Sequence, residues 1–169
     1  MRRNDNRRIF LGLFGADRSF SMSPMDFSKP DPKVLKLLAD IVEFELAGVV
    51  RYTHYALMVR GPNRIPIVDF LQAQADESLV HARSVGELLT GLGGHPTLGI
   101  SHLIESERHG VTDVLEESFA HESRAIEYYT ELLALTSGKS VLLEEFARQM
   151  ISAEESHLME LHKMLRDME

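Results

Sequence analysis

Cysteine and tryptophan are both absent from this chain of 169 residues. The absence of cysteine excludes disulfides, thiol catalysis, cysteine-ligated zinc and cysteine-held iron–sulfur clusters, and it suits a reducing, cytoplasmic location. No apolar run approaches the roughly 18 residues that a membrane-spanning helix needs. With 44% hydrophobic and 26% charged residues, the composition is that of a globular protein with one domain and a buried core.

Positive charge is scarce outside the first eight residues. Those residues hold four Arg and one Asp. The rest of the chain has 14 basic and 25 acidic residues, so its formal net charge is near −11, compared with −8 for the whole chain. A surface of this sign repels the phosphates of nucleic acids and attracts cations. The charge therefore argues against a nucleic-acid partner, and it leaves cation binding and simple solubility as the two open interpretations.

Residues 1–32 show no helical period and are predicted to form an N-terminal arm or leader. The segment Arg7-Arg8-Ile9-Phe10-Leu11 resembles a twin-arginine export signal. Charged residues, however, end its apolar stretch after Ala16, which is short for a signal peptide. Alternatives are a true start at Met22 or Met25, or an ordered arm that packs on a neighbouring subunit.

Four long segments after Pro32 repeat apolar residues at helical spacing. Their predicted ranges are Lys33 to Arg60, Pro66 to Thr90, Val111 to Leu135, and Ser140 to nearly the C-terminus. The first and third connections are short, whereas the middle one is long enough to run the length of a bundle. The predicted fold is therefore all-α: an antiparallel four-helix bundle over residues 33–169, with one long crossover between helices two and three.

Five acidic or imidazole side chains lie on stripes that should be apolar. Glu45 falls on the first helix, His81 on the second, Glu122 on the third, and Glu154 and His157 on the fourth, each near the middle of its helix. Burying such groups is costly unless they are paired or bind a metal. Any one of them alone is as easily a surface residue. Together they predict a carboxylate-rich site, which suits iron or manganese better than zinc.

These residues resemble motifs of the bacterioferritins, within the ferritin-like di-iron superfamily. The resemblance spans Asp31 to about Leu165, and Tyr129 follows Glu122 by seven residues just as Tyr52 follows Glu45. It implies a ferritin-like bundle whose Glu and His residues hold two iron ions, with Tyr52 and Tyr129 as outer hydrogen-bond or electron donors. The segments that carry it are Asp31-Pro32-Lys33-Val34, Glu45-Leu46 with Tyr52, Glu122, and Glu154-Glu155-Ser156-His157.

The second helix departs from the family pattern. A Glu is expected three residues before His81, where the chain has Ser78, and Glu77 lies one residue earlier. At 100° per residue Glu77 can still share the face of His81. Either Glu77 bridges the two metals, helped by a π-bulge, or the site is impaired. Leu79 stands where the family has its haem-binding Met, so haem is not expected.

The resemblance implies a non-haem ferroxidase that stores or detoxifies iron. Fe²⁺ would be oxidised by O₂ or H₂O₂, with Tyr52 assisting, in a homo-oligomer. The sequence ends after helix four, without the family's short fifth helix, so a dimer, a 12-subunit cage or a more open 24-mer is expected. The predicted ligands are Glu45, Glu77, His81, Glu122, Glu154 and His157.

Two other functions stay open. One is a di-iron oxidoreductase without storage, such as a rubrerythrin-like peroxidase or an oxygenase. The other is a non-catalytic cage subunit with an impaired site. The remaining histidines are predicted to be solvated or intersubunit, with secondary metal binding as the alternative; they are His54, His95, His102, His109 and His121.

Overall fold

The structure, a computed structural model, describes residues 29–166. They form four helices and, within this range, no strand: α1 Pro32–Met58, α2 Arg64–Gly91, α3 Val111–Thr136 and α4 Val141–Leu165. The predicted all-α bundle with one long crossover is confirmed. The predicted arm or leader lies almost entirely outside the described residues. None of the helices described is long and apolar enough to cross a membrane.

Local sequence signals explain where the helices begin and end. The Asp31 side chain accepts a hydrogen bond from the Lys33 backbone N–H at 2.9 Å, and Pro32 occupies the first turn of α1. Ser140 caps α4 in the same way, accepting from the Leu143 N–H at 3.3 Å. Such caps satisfy backbone donors that have no partner within the helix. Between α3 and α4, Gly138 adopts a φ of 72°, which glycine tolerates without strain.

The long crossover between α2 and α3 runs along α1. The Ser101 N–H donates to the Glu43 carbonyl at 3.0 Å, and the Arg60 N–H donates to the His109 carbonyl at 3.3 Å. The crossover therefore passes the middle of α1 and reaches its C-terminal end. As a result α3 starts where α1 ends and packs against it in the antiparallel direction, while the hairpins α1–α2 and α3–α4 form the two halves of the bundle.

The apolar core consists of two separate clusters. The larger one is built around residues such as Leu38, Val85 and Leu132, and the smaller one around Tyr52 and Leu71. Buried polar residues lie between the clusters along the helices, so a polar layer interrupts the core. This layer contains Glu45, Ser78, His81, Ser118, His121, Glu122 and Glu154.

Candidate metal centre

Helices α1 and α3 contribute a reciprocal pair of Glu–Tyr contacts. The Tyr129 hydroxyl donates to Glu45 Oε1 at 2.5 Å, and the Tyr52 hydroxyl donates to Glu122 Oε1. Because the helices are antiparallel, the same seven-residue spacing on each one brings every Tyr opposite the Glu of the other. Both tyrosines are completely buried. Burial, followed by the facing carboxylate, raises the pKa of each phenol well above its usual value, so both remain O–H donors.

Helices α2 and α4 contribute two histidines and a carboxylate that lies between them. Glu154 is 3.1 Å from His81 Nδ1 through Oε1 and 3.0 Å from His157 Nδ1 through Oε2. The same two nitrogens face the other acids, with Glu45 3.7 Å from His81 Nδ1 and Glu122 3.9 Å from His157 Nδ1. The arrangement is nearly symmetric about Glu154.

These five residues form two groups of potential metal ligands that share Glu154. One group is Glu45, His81 and Glu154, and the other is Glu122, Glu154 and His157; the donor atoms of each group lie within 4.8 Å of one another. A cavity of about 10 Å³ lies among these residues, close to the volume that a single water molecule needs. The two groups are candidate cation sites that have one carboxylate in common.

Protons on the two histidines balance the negative charge of the carboxylates at this centre. Burial lowers the pKa of His81, but Glu154 and Glu45 outweigh it and bring the pKa to about 10. Hydrogen bonds to Glu122 and Glu154 raise the pKa of His157 to about 10. Burial raises the pKa of Glu122. Burial also opposes the charge of Glu154, but hydrogen bonds with both histidines lower its pKa. The imidazolium charges therefore offset the carboxylates, and divalent cations would have to displace those protons.

Glu77 occupies a different place from the five residues above. Its carboxylate is 3.1 Å from His157 Nε2 and 3.8 Å from His81 Nε2, and its side chain is 39% exposed. It thus meets the Nε2 edge of both rings, whereas the Nδ1 atoms face Glu154; it lines the central cavity but belongs to neither ligand group. A carboxylate in this position orients the two imidazoles. Bridging by Glu77 stays a prediction.

The neighbourhood of Ser78 contains a histidine that the sequence analysis assigned to the surface. His121 is 8% exposed, stacks on Phe44 with ring centroids 4.3 Å apart and lines the central cavity, so the expectation that it is solvated was wrong. Burial lowers its pKa to about 4 and keeps the ring neutral. A methyl group added at Gly48 would lie 2.8 Å from both His121 Nε2 and Ser78 Oγ.

A signal for the burial of His121 was present in the sequence. It lies three residues after Ser118 and four before Ala125, at the spacing of one helix face, and both of those small residues are buried. A stripe of small residues shows that a neighbouring helix packs closely, but small residues are weak markers of burial. The larger apolar residues Phe119 and Ile126 mark a neighbouring stripe on the same helix more strongly.

Comparisons with known proteins point to one family. The family model described as "Ferritin-like domain" matches residues 35–169, whereas no curated protein matches the sequence. A ferritin-like di-iron-carboxylate protein from Bacillus anthracis str. Ames has a similar structure, with a TM-score of 0.72 and 24% identity over 79% of this chain and 95% of that one.

Two further structures have similar folds. A dodecameric thioferritin, the bacterioferritin-related protein of Bacteroides fragilis, has a TM-score of 0.74 and 21% identity over 85% of this chain and 88% of that one. The bacterioferritin of Rhodobacter capsulatus, described with haem iron and a metal-free dinuclear site, has a TM-score of 0.70 and 23% identity over 82% and 86% of the two chains. At these sequence identities, the similarity shows a shared fold only.

Proposed function

Since this chain belongs to the ferritin-like domain family, we propose that it is a non-haem, bacterioferritin-like protein that binds two iron ions and oxidises Fe²⁺. The observation that carries the proposal is the pair of ligand groups that share Glu154 at the centre of the bundle. Carboxylates outnumber imidazoles in both groups together, a donor set suited to iron.

Each residue of the centre has a distinct role in the proposal. Glu45 and His81 hold one ion, Glu122 and His157 hold the other, and Glu154 binds both. Tyr52 and Tyr129 donate hydrogen bonds to the two terminal carboxylates, and these bonds hold the carboxylates in position for the ions. The bound iron supplies the electrons that O₂ or H₂O₂ accepts.

The two apolar clusters complete the site. They close the polar layer on both sides, so bulk water is kept from the carboxylates and their attraction for cations is screened less than at the surface. Charge on Glu45, Glu122 and Glu154 in such a place requires cations or protons nearby. Iron that enters the layer therefore replaces protons on His81 and His157, and these are released to solvent.

We also propose that the protein works as a homo-oligomer, a dimer or a cage. Large apolar side chains are exposed on α1 and at the start of α2: Val50 is 47%, Leu57 72% and Ile65 74% exposed. A surface of this kind is typical of a contact between protein chains. Oxidised iron would be stored if a closed cage forms. A monomer at micromolar concentration in sedimentation velocity would contradict this proposal.

The position of Glu77 favours a second candidate function. With Ser78 in the place of the expected Glu and Glu77 outside both ligand groups, the centre has one shared carboxylate where the family pattern has two. The alternative is therefore a cage subunit that binds iron but oxidises it slowly or not at all.

Fe²⁺ oxidation followed by absorbance separates the two candidates. The parent protein should oxidise Fe²⁺ well above the rate in buffer, Glu154→Ala should lose this activity, and Glu155→Ala should keep it because Glu155 is an exposed neighbour of the centre. A parent no faster than buffer would favour the non-catalytic subunit. Equal activity in the parent and Glu154→Ala would contradict the proposed centre.

A further inference from the structure

The end of the long crossover brings a second group of metal-binding side chains together, away from the central layer. His54 on α1 lies 2.5 Å from Glu105 through Nε2 and Oε2, and His109 Nε2 lies 3.5 Å from Glu105 Oε1. The imidazole rings have centroids 5.8 Å apart and an interplanar angle of 61°. One donor atom from each of the three residues lies within 4.8 Å of the others.

Two buried nitrogens in this group have no hydrogen-bond partner among the described residues. They are Nε2 of His54 and Nε2 of His109, and the His109 side chain is only 8% exposed. Both nitrogens are near the Glu105 carboxylate, but neither meets it in hydrogen-bond geometry. Buried polar atoms normally find a partner. Here the two nitrogens lie near the two different oxygens of one carboxylate, Oε2 and Oε1, within the span that a single cation can bridge.

The backbone of the crossover holds this arrangement in place. The Glu107 N–H donates to Glu105 Oε1 at 2.7 Å, which lowers the pKa of Glu105 and keeps its carboxylate charged. Glu107 achieves this with a φ of 57°, a region that non-glycine residues rarely adopt. The Arg60 N–H binds the His109 carbonyl and ties the loop to the end of α1. The carboxylate and the second imidazole are thereby positioned opposite His54.

We propose that His54, Glu105 and His109 form a second metal site that binds Zn²⁺ or a similar divalent transition metal. Two imidazoles and one carboxylate are a known zinc ligand set, and a fourth position then stays open to water. The donors are richer in nitrogen than those of the central layer, so they favour Zn²⁺ and Co²⁺ over Mn²⁺. An ion here would link the crossover to α1.

The second site is independent of the central one. His54 follows Glu45 by nine residues on α1, about 13 Å at the rise of an α-helix, and the two sites share no ligand. Glu105 and His109 also line an open surface cavity of about 650 Å³. An ion can therefore reach this site from solvent without passing through the bundle.

Zn²⁺ binding to the full-length protein tests the proposal. After equilibrium dialysis against micromolar Zn²⁺ and metal analysis, His109→Ala and His54→Ala should each retain one Zn²⁺ fewer per chain than the parent. The matched control is His102→Ala, which removes an exposed histidine from the same crossover and should retain as much Zn²⁺ as the parent. With Co²⁺ as the probe, the same variants should lose visible absorbance from nitrogen-ligated metal.

Glu105→Gln provides a second test that does not require replacing the buried side chain of His109. Glu105 is 45% exposed, so its amide replacement should leave the helical circular dichroism spectrum unchanged while still removing one Zn²⁺ per chain. Parental Zn²⁺ content in a folded Glu105→Gln, or an equal loss in His102→Ala, would overturn the proposal. Because the readout is zinc content, iron oxidation at the central layer can fail or succeed without affecting the result.

Discussion

Replacing Glu77 tests how the centre works without the expected second-helix Glu. In the structure the Glu77 carboxylate lies 3.1 Å from His157 Nε2 and 3.8 Å from His81 Nε2, at the edge of each ring opposite the Nδ1 atom that faces Glu154. It pairs electrostatically with the Nε2 edge of each ring, and Nδ1 of each ring faces Glu154; such a partner helps to orient a metal-binding imidazole. Glu77→Ala should therefore weaken iron binding and oxidation without abolishing them.

The expected size of the effect follows from this position. Loss of a carboxylate that orients a metal-bound histidine typically costs about 10- to 100-fold in affinity or activity, or about 1.4–2.7 kcal/mol. Glu154→Ala removes a ligand common to both groups and should cost far more. Glu77→Gln is the matched variant, because its amide oxygen can still accept a hydrogen bond. It should retain much of the parental activity.

Anaerobic Fe²⁺ binding and stopped-flow oxidation provide the measurement on five proteins: the parent, Glu77→Ala, Glu77→Gln, Glu154→Ala and Ser78→Glu. If Glu77 bridges the metals, Glu77→Gln and Glu77→Ala should both be as inactive as Glu154→Ala, since an amide cannot replace a shared anion. If the site is impaired, both variants should match a weakly active parent, and Ser78→Glu should raise activity. Either result would refute the orienting role derived from the Nε2 contacts.

Three further predictions concern packing, pH and haem. In a urea titration, Gly48→Ala should lower the free energy of unfolding by about 1–3 kcal/mol, because its methyl group would meet side chains of α2 and α3 at 2.8 Å. Gly86→Ala is the control: Gly86 has open space around it, so this variant should be neutral or stabilising. His81 and His157, with pKa values raised to about 10, stabilise the metal-free fold fully below about pH 6.5, and this contribution is lost as the pH rises through 10. The melting temperature of chelator-treated protein should therefore fall from pH 7 to pH 10, and a flat profile would contradict the charge balance described for the centre. Because Leu79 cannot ligate iron, the purified protein should show no stoichiometric Soret band, and a persistent one would contradict this.

Much of the bundle could be read from the sequence because helices are decided by local rules. Capping at Asp31 and Ser140 and apolar repeats of helical period involve residues within a few positions of one another. The seven-residue Glu–Tyr spacing on two helices was likewise visible. Given antiparallel helices, that spacing leads directly to the reciprocal contacts of Glu45 with Tyr129 and Tyr52 with Glu122.

Only the tertiary structure decided which edge of each imidazole Glu77 meets and what lies beside Ser78. Helical periodicity places a side chain on a face of the helix, but positions 77 and 78 both share the face of His81. The choice between them depends on how closely α1 approaches. At Gly48 it comes near enough to bury His121 against Ser78, a contact between three helices that no local pattern encodes.

The second histidine cluster depended on tertiary structure entirely. His54 and His109 lie 55 positions apart, and the crossover that joins them in space has no periodicity from which to predict its path. Its course follows from two backbone hydrogen bonds, one to Glu43 on α1 and one to Arg60 just after the end of α1. The sequence by itself determined the helices, their faces and the central carboxylates, because those depend on neighbours along the chain. The meeting of His54, Glu105 and His109 depends on where a loop without periodicity docks, and the folded bundle determines that.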